Sequence, residues 1–138
     1  MNVTWVASFP TGHEEGRYIT LDLGGTYLRV CDVVLSVGKN ESVTFQQKYK
    51  LPSPIRIAPA DDLWDFAADC LGSFMHEHHQ GGQNSNKLPL AFCFSYPVEQ
   101  TNIKSGFLQR WTKDFSCPGV EGQDVVAQLE AALERKVC

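Results

Sequence analysis

Three short segments of the 138-residue chain carry residue types suited to handling phosphates and hydroxyls. The first is Leu21-Asp22-Leu23-Gly24-Gly25-Thr26. Alternating apolar residues deliver a carboxylate to the end of a strand, and two glycines follow. Without Cβ atoms, backbone N–H groups there can come close to phosphate oxygens. Thr26 adds a hydroxyl donor. Asp22 would repel a phosphate directly, so it makes better sense as a partner of Mg²⁺ or of its waters. The pattern is neither a Walker A loop nor a GxGxxG fingerprint. A plain Asp/Gly hairpin turn would use the same residues, and the hexamer alone leaves both readings open.

The second segment is Phe92-Cys93-Phe94-Ser95-Tyr96-Pro97, in which aromatics lead to a hydroxyl at a strand end. In open α/β sheets ligands gather just beyond such ends. The third is Trp111-Thr112-Lys113-Asp114-Phe115, a hydroxyl and a cation between bulky aromatics. A site for a polyhydroxylated ligand needs fixed donors and acceptors plus walls that exclude water. Phosphoryl transfer also needs a cation near the moving charge. Ser95, Thr112 and Lys113 could fill these roles. Taken singly, Ser95 is a turn residue before Pro97, and Lys113 is a solvated surface charge.

The elements that must hold these segments follow from periodicity. Arg17 to Leu23 alternates as a strand, and Gly24-Gly25 permits a tight turn because glycine tolerates positive φ. Leu28–Leu35 and Ser42–Lys50 read as further strands, so the first three form an antiparallel meander. Pro52, Pro54 and Pro59 mark an irregular connection. Asp61 to His79 reads as a helix. Leu63, Phe66, Ala67, Cys70, Leu71, Phe74 and Met75 make its apolar face, and Asp61 and Asp62 suit the positive end of its dipole. Gly81 to Asn86 is a loop. Leu88 to Phe94 is a short apolar strand, and strand–helix–strand order suggests a crossover and a parallel pairing. Val125, Val126, Leu129, Ala132 and Leu133 mark a final amphipathic helix. The order β-β-β-α-β-(loop)-α describes an α/β layer on a mixed sheet.

Composition excludes other classes. A hydrophobic share of 43% in 138 residues suits one domain with a real core. A formal net charge of −4 argues against a phosphate-backbone binder, which needs a basic footprint. The five cysteines (Cys31, Cys70, Cys93, Cys117 and Cys138) are odd in number and scattered, with no CxxC. They read as small apolar residues in a reducing cytosol rather than as a disulfide framework or zinc site. Asn2-Val3-Thr4 and Asn40-Glu41-Ser42 fit the glycosylation sequon, which matters only in a secreted chain. No signal peptide and no membrane span is evident. The tract His76-Glu77-His78-His79 reads as a solvated helix terminus rather than a metal site.

Read together, the segments resemble a known family. Leu21-Asp22-Leu23-Gly24-Gly25-Thr26-Tyr27-Leu28-Arg29-Val30 resembles the phosphate-loop motif LDLGGTNFRV of eukaryotic hexokinases and glucokinases. Leu90 to Pro97, continuing through Gln100-Thr101 to Trp111-Thr112-Lys113-Asp114-Phe115, resembles the family's long sugar signature, LGFTFSFP…QT…WTKGF. Asp62 to Leu71 resembles its helix of the type EELFDYIADCI, and Gly119 to Val126 the stretch after the sugar signature. The resemblance runs in order over almost the whole chain, and the sugar signature is the more specific part.

The resemblance implies an α/β fold with a mixed five-stranded-type sheet, the small lobe of the ribonuclease-H-like, actin-like ATPase group, over residues 1–138. It implies ATP-dependent phosphorylation of a hexose, glucose to glucose 6-phosphate at the start of glycolysis, with ATP and Mg²⁺, in the cytoplasm. Asp22, Gly24, Gly25, Thr26 and Arg29 would lie around the ATP phosphates and Mg²⁺. Ser95, Pro97, Thr112 and Lys113 would contact the hexose, and Lys113 would also assist transfer. Tyr27 stands where the family has Asn, Ala91 where it has Gly and Cys93 where it has Thr. The family's general base, an Asp in an Asn-Asp-Thr motif, and its adenine pocket belong to a larger lobe. The 138 residues contain no Asn-Asp pair, so the chain is expected to be part of a longer polypeptide whose large lobe is its partner. The rival expectation is a catalytically inactive sugar-binding or regulatory fragment.

Overall fold

The computed structural model describes residues 2–38, 43–78 and 88–136. The alternation seen in the sequence becomes three strands, β1 (Gly16–Leu23), β2 (Tyr27–Leu35) and β3 (Val43–Lys50). A short 3-10 turn at Ser53–Arg56 leads to helix α1 (Ala60–His78). Strand β4 (Leu90–Phe94) follows, then two-residue strands β5 (Val98–Glu99) and β6 (Phe107–Leu108), and helix α2 (Val125–Lys136).

The main sheet has the order β3-β2-β1-β4. β2 runs antiparallel to both β1 and β3, which is the expected meander, and β4 lies parallel to β1. The sheet is therefore mixed, as read. It holds four strands among the described residues. β5 and β6 pair with each other in a separate ribbon instead of adding to it. The cause is local: the Tyr96 amide turns back to the Phe94 carbonyl (3.0 Å), and Pro97 has no N–H to give a ladder. At its other end β4 starts at Leu90 rather than Leu88, because Pro89 offers only a carbonyl, which accepts from the Ile19 amide at 3.0 Å.

Period two sends Ile19, Leu21 and Leu23 of β1, with Leu28 and Val30 of β2, into a core that α1 covers. α1 buries a wider arc than one apolar face. Leu63, Ala67, Cys70, Leu71 and Phe74 are buried as read, but so are Trp64 and Ala68, while Phe66 and Met75 are only half-buried. Trp64 is 1% exposed, and its indole N–H donates to Gln128 of α2 at 2.8 Å. The second helix is what covers this flank. Ion pairs Arg135–Asp65 (2.7 Å) and Lys136–Asp69 (3.3 Å) close the rim between the helices. The helix ends as its dipole favours, with Asp61 and Asp62 in the first turn and His76 and His78 in the last. His78 packs between the rings of Phe45 and Phe74, each centroid 4.6 Å away. His79, the Gly81–Asn86 loop, the Asn40 sequon and Cys138 lie outside the described residues.

A buried charge sits on the same sheet face. Asp32 is fully buried, and Arg17 grips it with two N–H donors, Nε at 2.9 Å and Nη2 at 2.5 Å. Strand register explains the pair, since Asp32 lies opposite Ile19, one same-face position from Arg17.

Candidate functional site

The three chemistry-bearing segments meet at one end of the sheet. The parallel register sets Asp22 beside Cys93 and Leu23 beside Phe94, so β1 and β4 finish together. Each strand then delivers its loop to the same place: Gly24-Gly25-Thr26 from β1, Ser95-Tyr96-Pro97 from β4. The Ser95 amide reaches the Leu23 carbonyl at 3.4 Å, the last rung between them. The turn itself is closed by the Gly24 amide on the Tyr27 carbonyl (3.1 Å), while the Thr26 carbonyl accepts from Leu51 (2.9 Å).

The third segment arrives from the far side of the ribbon. The Lys113 ammonium donates to the Ser95 carbonyl at 2.7 Å and lies 4.9 Å from the centre of the Tyr96 ring. Its stem crosses Gly25, where a Cβ would stand 3.0 Å from Lys113 Cδ. One cation thus touches both of the other segments. Trp111 and Phe115 stack on each other at 5.2 Å and support the Tyr96 ring, each edge-on to it at 5.1 and 5.4 Å. Trp111 also donates its indole N–H to the Cys117 carbonyl at 2.9 Å.

The turn does not use the positive φ expected of its glycines. Neither Gly24 nor Gly25 has a positive φ. Gly25 is needed for close approach, because the Lys113 stem occupies the space of a side chain. The left-handed backbone lies instead at Lys113 (φ 57) and Asp114 (φ 64), two successive non-glycine residues. That double bend folds the loop tightly enough for the Phe115 amide to reach the Thr112 carbonyl (3.1 Å) and aims Lys113 back at Ser95. The family motif has Gly where this chain has Asp114, which suits such a backbone.

Asp22 and Arg29 are cross-strand partners beside the turn, with Arg29 Nη1 3.9 Å from Asp22 Oδ2. Their side chains are 38% and 41% exposed, so the pair contributes little stability. Arg29 Nε is buried with no hydrogen-bond partner among the described residues. Burial, foremost, and the nearby Asp22 charge push the Cys93 thiol above its usual range. Thr26 and Ser95 are exposed, and Thr112 is half-exposed. Pro97 follows Ser95 and Tyr96 on the same loop. Its carbonyl accepts from Gln109 (2.9 Å), and it lines a cleft of about 1040 Å³ between β4, the ribbon and the N-terminal strap around Trp5. Asn2 and Trp5 pin that strap by donating to the Val98 and Gln100 carbonyls, each at 2.9 Å.

A family model described as hexokinase matches residues 1–138, the whole chain. The chain belongs to the hexokinase family. Among curated hexokinases it is 46% identical to that of Emericella nidulans, over 99% of this chain and 28% of the relative. It is 51% identical to that of Schwanniomyces occidentalis, over 96% of this chain and 27% of the relative. A solved hexokinase from Schistosoma mansoni, complexed with glucose, superimposes with a TM-score of 0.86 at 32% identity, covering 99% of this chain and 30% of that one. The chain therefore spans less than a third of the length of these hexokinases. The structural likeness agrees with the small lobe of the actin-like group expected for the fold.

Two residues of the site were not singled out from the sequence. Tyr96 is 7% exposed and donates its hydroxyl to the Gly24 carbonyl at 2.9 Å. It stands where the hexokinase signature has Phe. A polar aromatic inside an apolar signature was the available signal. Asp114 was the other, a non-glycine residue at a position needing left-handed backbone. Among the described residues no group of three or more His, Cys, Asp or Glu side chains is placed to hold a metal ion. Mg²⁺ in such sites is held by one or two carboxylates plus substrate phosphates, and the half-exposed Asp22 beside the turn fits that mode. No helix among the described residues is long and apolar enough to cross a membrane.

Proposed function

We propose that these residues form the phosphate- and sugar-gripping lobe of an ATP-dependent hexose kinase, with glucose as the acceptor and glucose 6-phosphate as the product. The observation that carries this reading is the position of Lys113. Its ammonium sits on the Ser95 carbonyl while its stem crosses Gly25, so one cation serves both halves of the site. Phosphoryl transfer asks for positioning and charge stabilisation more than for covalent chemistry, and a shared cation supplies both.

In this reading the turn at Gly24-Gly25-Thr26 holds the phosphates of ATP, helped by the Thr26 hydroxyl and Arg29. The half-exposed guanidinium of Arg29 beside the turn suits a phosphate oxygen. Bound Mg²⁺ would neutralise charge on the phosphates, and Asp22 would hold it. Ser95 and Thr112 offer hydroxyls to the hexose, with Pro97 as a wall. Lys113 stabilises the charge that builds on the transferred group. The proton of the attacking hydroxyl needs a base supplied from outside these residues. A reducing cytoplasm suits the free thiols of Cys31, Cys70, Cys93 and Cys117.

Calorimetric titration with Mg·ATP and with glucose tests the reading, using the wild-type chain and Lys113→Ala. Wild-type binding of both ligands is expected, with Mg·ATP weakened about tenfold or more by loss of a charge-assisted contact. Equal Mg·ATP affinity in the two proteins would overturn the role of Lys113. Glucose binding without any affinity for Mg·ATP would favour the inactive sugar-binding reading.

A further inference from the structure

The hydroxyl of Tyr96 ties the β4 loop directly to the Gly24-Gly25 turn, and its ring carries Lys113. The residue touches the two halves of the site through two different parts of itself. The hydroxyl holds the Gly24 carbonyl at 2.9 Å, which fixes the turn. The ring lies 4.9 Å from the Lys113 ammonium and packs edge-on with Trp111 and Phe115, which flank Lys113 in the sequence. Phenylalanine would fill the same space and keep the ring contacts but leave the Gly24 carbonyl without this donor. Burial pushes the Tyr96 hydroxyl far above its usual range, so it stays protonated and able to donate at any physiological pH.

We propose that Tyr96 is a positioning residue that couples the phosphate turn to the Ser95–Lys113 side of the site, through its hydroxyl on Gly24 and its ring beneath Lys113. Its functional consequence rests on the phosphoryl-transfer reading above, whereas the clamp itself does not. With the clamp intact, the turn and the cation keep one relative position, so a phosphate group held by the turn is presented to Lys113 in a fixed geometry. Without the hydroxyl the turn is held to that side only by the Lys113 stem on Gly25 and the Ser95 amide on the Leu23 carbonyl, and its position relative to the lysine loosens.

The test compares the wild-type chain with Tyr96→Phe and Tyr96→Leu. Amide hydrogen exchange at Gly24 to Tyr27 and the ring-current shifts of the Lys113 side chain are read by NMR, without ligand. Calorimetry then gives separate affinities for Mg·ATP and glucose. Tyr96→Phe should speed exchange in the turn, keep the Lys113 ring-current shift, and weaken Mg·ATP about fivefold, the worth of one neutral hydrogen bond. Glucose affinity should stay at the wild-type value. Tyr96→Leu should lose the Lys113 shift as well and weaken both ligands. Thermal melts confirm that each variant folds, and the conservative Phe variant keeps the test decisive if Leu does not. Wild-type exchange in the turn of Tyr96→Phe would overturn the clamp, as would equal weakening of both ligands by that variant. Faster exchange in Tyr96→Phe, in a wild-type chain that binds neither ligand, would support the clamp and overturn the phosphoryl-transfer reading instead.

Discussion

Gly25→Ala isolates the contact on which the site depends. Glycine there is not required by backbone conformation, since φ lies outside the left-handed region, so alanine itself is free of strain. What the new methyl meets is the side chain of Lys113, with Cδ at 3.0 Å and Cβ at 3.4 Å. The first distance asks the lysine stem to give by a few tenths of an ångström; the second is ordinary contact. That displacement is passed along the stem and weakens the 2.7 Å bond to the Ser95 carbonyl and the cation–π contact with Tyr96. Lys113 is exposed, so these losses sit at the low end of their ranges, about 1 kcal/mol for the bond and about 0.5 kcal/mol for the ring. Gly25→Ala should therefore destabilise the chain by up to about 1.5 kcal/mol. In a Lys113→Ala background the obstacle is gone. The same substitution should then be neutral, or stabilising by about 0.5 kcal/mol through the stiffer unfolded chain. Urea unfolding of the four proteins gives the coupling as a double-mutant cycle, expected at up to about 2 kcal/mol. A Gly25→Ala cost that persists undiminished without Lys113 would refute the close-approach explanation.

Three further outcomes follow from local geometry. Asp114→Gly should stabilise the chain by about 0.5–1 kcal/mol, because it relieves a left-handed residue at φ 64; a lower urea midpoint would contradict this. Arg17→Ala should cost about 2–3 kcal/mol in the same assay, below the usual range for enclosed pairs because Arg17 is 39% exposed although Asp32 is fully buried. The Glu14 carboxyl is held down to about 2, foremost by the Thr11 amide at 2.6 Å, then by its own amide and the Thr11 hydroxyl. A depressed pKa means the Thr11–Glu14 latch is complete above the ordinary value of 4.5 and is lost as pH falls through about 2. An NMR titration of the Glu14 side chain with a midpoint near 4.5 would show that the latch does not form.

The strands, the first helix and the final helix were legible because each carries a period that survives in one sequence: alternation in β1 and β2, i, i+3 and i+4 spacing in α1 and α2. What escaped notice depends on distant partners. The ribbon strands β5 and β6 are two residues each, too short to hold a period. The buried flank of α1 at Trp64 exists because α2 covers it, and nothing within α1 distinguishes Trp64 from an exposed aromatic. The Pro97 carbonyl accepts from Gln109 of the ribbon and Pro97 lines the neighbouring cleft, contacts with partners that no local period announces.

The site shows the same division between residue type and residue position. Asp22, Gly24, Gly25, Ser95 and Lys113 could be picked by chemistry, because phosphates and hydroxyls call for amides, hydroxyls and cations. Their convergence could not, since Tyr96 and Gly24 are 72 positions apart and Lys113 and Ser95 are 18. The parallel pairing of β1 with β4 creates it, ending both strands at one level so that their loops must share space. Once they share it, Gly25 has to be small for Lys113, Lys113 has to bend left-handed to reach Ser95, and the aromatic at 96 sits between turn and cation. A hydroxyl on that aromatic then finds the Gly24 carbonyl within bonding reach, which is why a one-atom difference from phenylalanine has a consequence for the turn.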